Sequence, residues 1–406
     1  MNQNLIIRRY EEGDDEKINE LLTIVFNGWK GRSYWQWKYK ENPAGFHVSH
    51  IWLAKDGEKV VSYYAMIPIM IKVNDSIIMG VQSVENATHP DYRRRGLFVT
   101  LDRLALTEAT NDGIKIIYGF PGRRAYIGHI KVGWRDLGSI PRRYRMLKVR
   151  NAVKFKMSQD SSMKSKSYNI CDIFRLARKV VRKQEPTSDE TYRFRSIRFS
   201  LLLLAAAISN PRCLFRPRGA KQIPGLIIKE VDSFDERITS FWRGISQNFP
   251  IAIDRNCEYL NWRYKKNPVN KYVVFIAENK GEIEGYMVLK SESNEGIIMD
   301  IISRENRVFA CLLHKALRYF ADEGKAVVEC WMPDNAIYTK MLKKFGFGSY
   351  QWLARWANHV NFLKGLINPF ILYINFPDAK QIEQQLRRLD SWFLAAGDSD
   401  WENMSQ

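Results

Sequence analysis

Cysteine is scarce in this 406-residue chain, and its five copies show no pairing pattern. They stand at positions 171, 213, 257, 311 and 330, which is an odd number with no Cys-x-x-Cys spacing. This distribution excludes a disulfide framework and a zinc ribbon, and it fits a reducing compartment. The six histidines have no spacing typical of metal ligands, so the sequence predicts no metal site.

Long hydrophobic runs are also missing. The longest purely apolar stretch, residues 201–208, is far shorter than the roughly 20 residues that span a bilayer. The first residues turn acidic at positions 11–16 and lack the regions of a signal peptide. We therefore expect a cytoplasmic protein. The hydrophobic fraction of 45% excludes global disorder.

Acidic residues are few in one segment only. The whole chain has 63 Lys and Arg against 44 Asp and Glu, a net charge of +19. Residues 138–225 hold 21 of the basic and 5 of the acidic residues, a net of +16, which leaves about +3 elsewhere. This segment is read as a solvated connector, as an element peripheral to an anionic membrane through residues 173–208, or as a phosphate-binding segment. Few aromatic residues and no nucleic-acid motif argue against a nucleic-acid partner.

The chain contains an internal repeat at a spacing of 225 residues. Residues 34–43 read Tyr-Trp-Gln-Trp-Lys-Tyr-Lys-Glu-Asn-Pro, and residues 259–268 read Tyr-Leu-Asn-Trp-Arg-Tyr-Lys-Lys-Asn-Pro. Around each copy the patterns predict a strand, an acidic helix, the Trp-bearing helix, three strands, a long amphipathic helix, a buried strand and a short helix. Three neighbouring strands followed by strand–helix alternation predict a mixed α/β sheet in each half.

The repeat predicts four consecutive segments: an N-terminal lobe at 1–137, a basic linker or insertion at 138–225, a second lobe at 226–350 and a C-terminal extension at 351–406. The extension contains a small acidic turn, Gly-Asp-Ser-Asp, at residues 397–400. We interpret this turn as part of a frayed terminus; the alternative is a carboxylate placed near an amino-sugar.

Only the N-terminal lobe has a basic loop that contains glycine. Residues 84–98 read Val-Glu-Asn-Ala-Thr-His-Pro-Asp-Tyr-Arg-Arg-Arg-Gly-Leu-Phe, and a strand ends before Pro90 and a helix begins near Gly96. A helix N-terminus presents unpaired N–H groups and a partial positive charge, which suit a pyrophosphate. Glycine lets the backbone approach the phosphates, and the arginines add charge-assisted hydrogen bonds. The alternative is a basic loop on a solvated face.

This loop resembles the fingerprint of the GNAT superfamily of acetyl-CoA-dependent acyltransferases: Arg or Gln, two residues, Gly, one residue, then Gly or Ala. Residues 93–98 fit the first four positions and depart at Phe98. The resemblance implies two tandem GNAT lobes. It also implies that acetyl-CoA, as acyl donor, contacts the following residues: Asn86, Ala87, Thr88, Arg93, Arg94, Arg95, Gly96, Leu97 and Phe98.

The second lobe resembles a degenerate copy. Its equivalent stretch, residues 302–308, has no glycine and contains Glu305. Tandem architectures of this kind occur among surface-polysaccharide-associated GNAT proteins and, more distantly, in the enhanced-intracellular-survival and Fem-type families.

Acyl transfer to an amine requires a proton acceptor for the ammonium and a proton donor for the thiolate. Glu85, on the strand before the loop, is the candidate base, and Asp300 holds a similar place in the second lobe. His129 and Tyr126, in the last helix of the first lobe, are the candidate acids.

The resemblance therefore implies an N-acetyltransferase with a small-molecule, sugar-nucleotide or lipid-linked amine acceptor, for example an amino-sugar of a polysaccharide precursor. An oxygen acceptor and a longer acyl group stay open. Two other hypotheses are a Fem-like aminoacyltransferase that uses aminoacyl-tRNA, and a non-catalytic CoA-binding scaffold at a membrane.

Overall fold

The computed structural model describes residues 5–26, 28–46, 49–147, 220–334, 337–349, 369–374 and 380–400. Residues 173–208, for which a membrane-surface role is one hypothesis, lie outside this part of the chain. The contacts group the chain into two compact units: Met1–Ile140 with Asp232–Lys271 and Asn368–Gln406, and Pro141–Val231 with Tyr272–Ile367. No helix in the described ranges is both long and apolar enough to cross a membrane.

The first unit is built on a nine-stranded mixed sheet. Its principal elements are β1 (Ile6–Arg9), α1 (Asp14–Val25), α2 (Arg32–Tyr39), β2 (His50–Asp56), β3 (Lys59–Val73), β4 (Ser76–Thr88), α3 (Leu97–Asn111), β5 (Ile116–Gly119), α4 (Arg123–Val132), β6 (Arg135–Ser139), α5 (Arg237–Ser246), β9 (Ile251–Ile253), α6 (Cys257–Leu260), β15 (Pro369–Ile374), α9 (Lys380–Leu386) and β16 (Trp392–Phe393). The strand order is β1-β2-β3-β4-β5-β15-β6, with β9 beside β3 and β16 beside β9.

Helix α3 is held on this sheet by its apolar face. Leu101, Ala105 and Ala109 recur at 4-residue spacing and pack with Met66 and Ile117 of the sheet. The helix follows Gly96, whose φ of +79° belongs to the left-handed region that glycine adopts without strain. Sequence spacing thus fixes both the start of α3 and the face that it buries.

The second unit has a seven-stranded mixed sheet. Its elements are β7 (Arg142–Met146), β8 (Leu226–Val231), β10 (Val273–Asn279), β11 (Glu282–Ser291), β12 (Glu295–Ser303), α7 (Asn306–Asp322), β13 (Val327–Trp331), α8 (Thr339–Lys344) and β14 (Gly348–Ser349). The strand order is β14-β7-β13-β12-β11-β10-β8. The predicted mixed α/β architecture is confirmed, and both sheets contain one central parallel pair, β4–β5 and β12–β13.

Each unit contains a strand that comes from the other half of the sequence. Strand β7, from the end of the N-terminal half, pairs antiparallel with β13. Strand β15, from the C-terminal extension, pairs antiparallel with β5 in the other sheet. The four consecutive domains stay a prediction, while the compact units each combine residues from both halves of the sequence.

The expectation of a frayed terminus is wrong for the residues that the structure describes. Residues 392–400 are buried, and Trp392 and Phe393 pair in parallel with Ile251 and Ala252. The apolar residues before the acidic turn supply the physical reason, because they fill the space beside β9. The tail therefore contributes directly to the first unit.

The two copies of the repeated motif meet inside the first unit. Trp37 donates its indole N–H to the carbonyl oxygen of Trp262 at 3.0 Å, and Trp262 donates to the carbonyl oxygen of Trp37 at 3.0 Å. Their rings stack with centroids 5.0 Å apart. This reciprocal contact gives the repeat a structural role: each copy supplies the partner of the other.

Candidate active site

Glu85 lies at an irregularity in β4 that turns its side chain toward α2. The register with β3 moves from Tyr63–Ala87 to Ala65–Val84, and Glu85 has a φ of +49°. Its carboxylate accepts hydrogen bonds from Lys38 Nζ at 2.6 Å and from the Tyr39 hydroxyl at 3.0 Å. Glu85 and Lys38 form a buried ion pair.

Strand β4 loses its parallel partner just before Glu85. The last residue pair between β4 and β5 is Ser83–Gly119, although β4 continues to Thr88. On the other edge, Ala87 and Thr88 still pair with β3. Asn86 uses its side chain locally, where Oδ1 accepts the backbone N–H of Ala65 at 3.1 Å. The predicted contact residues 86–88 thus have no strand partner on the β5 side among the described residues.

The basic loop joins β4 to α3 through a short 3₁₀ turn, Pro90–Tyr92. Arg94 and Gly96 have positive φ values of +64° and +79°, so the backbone alternates in the manner of an anion-binding nest. No side-chain cap covers the N-terminus of α3, and a Cβ at Gly96 would meet no atom within 4 Å. This backbone faces open space at the positive end of a 15-residue helix.

The arginines of the loop have different surroundings. Arg93 Nε donates to the carbonyl oxygen of Thr88 at 3.2 Å. Arg95 donates to the carbonyl oxygen of Asp91 at 3.0 Å and lies over the Tyr92 ring. The Arg94 guanidinium is exposed and makes no ion pair with the described residues. Arg94 is thus the loop's available cation, while Arg93 and Arg95 stabilise the loop.

Phe98, the departure from the family fingerprint, packs against the following helix. Its ring contacts Tyr64 and His129, with centroids 5.7 and 5.0 Å apart. A Cβ on Gly128 would overlap this ring. The large residue on α3 is therefore accommodated by a glycine on α4, a compensation that the loop alone does not reveal.

His129 is a buried member of a polar group in the core. Its Nδ1 lies 3.0 Å from Oδ2 of Asp102, and Trp134 Nε1 donates to Oδ1 of the same carboxylate at 3.1 Å. Tyr126 lies nearer the surface and donates its hydroxyl to Asp136 at 2.8 Å. Burial and this carboxylate raise the pKa of Tyr126 to about 12, so Tyr126 keeps its proton at neutral pH. The structure thus places the two candidate acids in different environments.

Sequence reasoning missed two residues near Glu85, and it named a third, Asp400, only within the acidic turn whose alternative interpretation is a carboxylate near an amino-sugar. Lys38 and Tyr39 belong to the first copy of the repeated motif, which gave the only signal for them. Asp400 lies in the tail, 4.0 Å from Lys38 Nζ. Burial raises the pKa of Asp400 to about 6. The site thus contains two buried carboxylates around one lysine.

The equivalent junction of the second unit is closed. The Tyr338 hydroxyl accepts the backbone N–H of Ser303 at 3.1 Å and donates to its carbonyl oxygen at 2.6 Å. Its ring stacks on Phe309 of α7 with centroids 4.3 Å apart. Asp300, the predicted counterpart of Glu85, is buried and accepts the Tyr286 hydroxyl at 2.8 Å. These contacts occupy the end of β12, and no tyrosine makes the corresponding hydrogen bonds to the end of β4 in the part of the first unit that the structure describes.

The first unit therefore combines an uncapped helix N-terminus with buried carboxylates and a strand end that has no described partner on the β5 side. This set of groups suits a phosphate-bearing donor and a basic acceptor. No group of three potential metal ligands occurs among the residues that the structure describes.

Comparisons with known proteins agree with this geometry. The family model described as acetyltransferase (GNAT) domain matches residues 6–135. A search of curated proteins with the sequence gives no match.

Several solved structures share the fold of almost the whole chain. A probable N-acyltransferase from Enterococcus faecalis V583 aligns with a TM-score of 0.58 at 9% identity, over 91% of this chain and 73% of that one. A GCN5-related N-acetyltransferase from Anabaena variabilis gives 0.57 at 12% identity, again over 91% and 73%. A tandem GNAT protein from the clavulanic acid biosynthesis pathway, solved without acetyl-CoA, gives 0.50 at 12% identity over 92% and 100%.

Proposed function

Residues 6–135 of this chain are an acetyltransferase domain of the GNAT family, which makes the protein an acyltransferase, and on this premise we propose that it transfers an acetyl group from acetyl-CoA to an amine. The observation that carries the proposal is the uncapped N-terminus of α3 beside the free edge of β4. Both features lie within the first unit, and the matching junction of the second unit is filled by Tyr338. One donor site per chain follows from this difference.

The donor's pyrophosphate would bind the backbone N–H groups at residues 94–98. The left-handed conformations of Arg94 and Gly96 support this placement, because they direct successive N–H groups toward one side. The exposed guanidinium of Arg94 would add a charge-assisted hydrogen bond. The pantetheine arm would lie along residues 86–88, where β4 has no neighbour on the β5 side. This part of β4 leads from the loop toward Glu85.

Glu85 would act as the base on the acceptor side. The ammonium loses one proton to become a nucleophile, the new C–N bond forms at the thioester carbonyl, and the C–S bond breaks. The second proton of the amine then goes to the thiolate. Lys38 and Tyr39 hold the Glu85 carboxylate in place, and this supports a fixed position for the proposed base.

Tyr126 is the better of the two candidate acids. His129 is engaged with Asp102 and enclosed by Phe98 and Trp134, an arrangement typical of a core histidine. The Tyr126 side chain is half-buried and retains its proton at neutral pH. It would exchange its hydrogen bond to Asp136 for one to the departing thiolate. The proposal therefore assigns Glu85 and Tyr126 the proton-handling roles and gives His129 a packing role.

The decisive experiment is a calorimetric titration of acetyl-CoA into the wild type and two variants at one position. Gly96→Glu places an anion where the pyrophosphate would bind, whereas Gly96→Ala has the same backbone strain without the charge. We expect a loss of affinity greater than about 100-fold for the glutamate variant and less than about tenfold for the alanine variant.

A third variant, Asn306→Glu, adds the same anion to the exposed start of α7 in the second unit and should bind like the wild type. Wild-type protein that fails to bind acetyl-CoA, or equal binding by Gly96→Glu, would contradict the proposed donor site. Confirmed binding would justify a screen of primary amines for the acceptor, with release of the CoA thiol as readout.

A further inference from the structure

The C-terminal tail brings a carboxylate into the interior of the first unit. Its strand β16 pairs with β9, and the turn that follows is held by a buried arginine. Arg263 donates to the carbonyl oxygens of Gly397 and Ser399 at 2.9 and 3.0 Å. These contacts fix the backbone of the turn, so the fold also sets the position of the next residue, Asp400.

Lys38 lies between this carboxylate and that of Glu85. Its Nζ is 2.6 Å from Oε1 of Glu85 and 4.0 Å from Oδ2 of Asp400. All three side chains are at most 6% exposed. No other acidic side chain pairs with Lys38 in the ranges that the structure describes. One buried cation is therefore shared by two buried carboxylates from distant parts of the chain.

The proposed reaction changes the charge of one of these carboxylates. When Glu85 takes the proton of the acceptor's ammonium, it becomes neutral and no longer compensates the charge of Lys38. A buried charge that loses its partner is strongly unfavourable. Asp400 is then the carboxylate that still pairs with Lys38. The second carboxylate thus makes proton uptake by Glu85 less unfavourable.

We propose that Asp400 is a positioning residue of the acyl transfer, which keeps Lys38 paired while Glu85 holds the acceptor's proton. The inference rests on the proposed function and adds to it a residue from the C-terminal tail. Asp400 acts here through Lys38 and touches neither acetyl-CoA nor the acceptor. Its removal should therefore slow the transfer and leave the binding of acetyl-CoA unchanged.

The charge of Asp400 changes near neutral pH. Burial raises the pKa of Asp400 to about 6, so the carboxylate is ionised above this pH and neutral below it. Its Oδ1 has no hydrogen-bond partner among the described residues, and the residue lines a cavity of about 20 Å³, enough for one water molecule. The charged and titratable groups around it are Lys38 of α2, Glu85 of β4, Arg263 of the second motif copy, Tyr34, Tyr118 and Tyr259. We expect Asp400 to support the transfer above about pH 6 and to lose this effect below it.

The pH profile of the transfer tests this role in the full chain. The wild type and Asp400→Asn are compared with the best primary amine of the screen, because the amine's own ionisation cancels in the ratio of their rates. We expect this ratio to be at least about tenfold at about pH 8 and to fall toward one at about pH 5, with its midpoint near about pH 6. Asp390→Asn removes an exposed carboxylate of the same tail and should match the wild type at every pH. Calorimetry should show equal binding of acetyl-CoA by the three proteins.

Carbon NMR of the aspartate carboxyl groups tests the coupling of the two carboxylates without any transfer. Glu85 raises the pKa of Asp400, so Glu85→Gln should lower this pKa by at least about half a unit. Asp390→Asn should leave it unchanged. The Asp400 signal is identified by its loss in Asp400→Glu, which keeps the charge, so the measurement does not depend on the folding of Asp400→Asn.

The outcomes separate this inference from the proposed function. A ratio of rates that is the same at every pH would leave Asp400 a role in folding alone and overturn the inference even where acetyl-CoA binds. A pKa of Asp400 that Glu85→Gln leaves unchanged would overturn it without any measurement of activity. Coupled carboxylates in a protein that does not bind acetyl-CoA would instead overturn the proposed acyl transfer, and the positioning role with it, while the sharing of Lys38 stands.

Discussion

Each unit has a junction between a strand and a long helix, β4 to α3 in the first unit and β12 to α7 in the second, and the two junctions differ in their contacts. At the first, Arg94 and Gly96 take left-handed conformations and α3 starts without a side-chain cap. At the second, no glycine precedes α7, and the Tyr338 hydroxyl bonds both the N–H and the carbonyl oxygen of Ser303. Both long helices start without a side-chain cap, but only the first junction has left-handed residues before its helix, and only the second has a tyrosine hydroxyl bonded to the end of its strand. The proposed donor site therefore depends on features that one copy of the fold has and the other lacks.

The aromatic residues beside these junctions explain the difference physically. Each long helix carries a phenylalanine in its first turn, Phe98 in α3 and Phe309 in α7. Phe98 occupies the space above Gly128, which has no side chain. Phe309 instead stacks on Tyr338, whose hydroxyl extends to the strand. The residue that faces the phenylalanine thus differs, since it is a glycine in the first unit and a tyrosine that bonds the strand in the second.

The largest difference between the two junctions should come from removing their equivalent carboxylates, Glu85 in the first unit and Asp300 in the second. Glu85→Gln removes the proposed base, and we expect transfer to the best primary amine of a screen to fall by at least about 100-fold. Asp300→Asn changes the counterpart that only accepts a tyrosine hydroxyl, and transfer should stay within about twofold. The measurement is CoA thiol release by folded protein, checked by acetyl-CoA binding. Similar losses in both variants would show that the carboxylates serve folding alone.

The contact between Phe98 and Gly128 gives the next largest effect. Gly128→Ala places a Cβ against the ring, and we expect the free energy of unfolding to fall by about 3 kcal/mol. Phe98→Ala removes the ring that the new Cβ would overlap. In a chain that already carries Phe98→Ala, we therefore expect Gly128→Ala to lower the free energy of unfolding by much less than it does in the wild type. Urea denaturation of the four proteins completes the cycle. Additive losses would mean that the two residues do not constrain each other.

Much of the local structure could be predicted from the sequence, because it depends on periodicity and on glycine and proline positions. The helix that the sequence predicts to begin near Gly96 is observed as Leu97–Asn111, and the basic loop precedes it as expected. The repeated motif was also recognisable. The contact between its two copies could not be predicted, since the reciprocal hydrogen bonds of Trp37 and Trp262 depend on where the two copies meet.

The parts that escaped prediction all depend on contacts between distant segments. Strand β15 follows a long interval in the sequence and still pairs with β5, which no local pattern encodes. Asp400 lies 315 residues from Glu85 in the sequence, yet both carboxylates lie near Lys38. The basic loop could be predicted because its residues are consecutive. The cavity beside Lys38 could not, because its walls come from α2, β4, the second copy of the motif and the tail.

The smallest expected effect tests whether the Tyr338 hydroxyl contributes to stability alone or also prevents acetyl-CoA from binding to the second unit. Tyr338→Phe keeps the ring on Phe309 and removes the hydroxyl, which leaves two buried backbone groups of Ser303 without that partner. We expect a loss of about 2 kcal/mol in the free energy of unfolding, because each unmade buried hydrogen bond costs about 1–3 kcal/mol and water can replace part of it. The stoichiometry of acetyl-CoA binding should stay at one, since the second junction still lacks a glycine and a left-handed residue before its helix. Urea denaturation measures the free energy of unfolding, and calorimetric titration of acetyl-CoA measures the binding stoichiometry. A second bound acetyl-CoA would show that the tyrosine hydroxyl alone had kept the two junctions different.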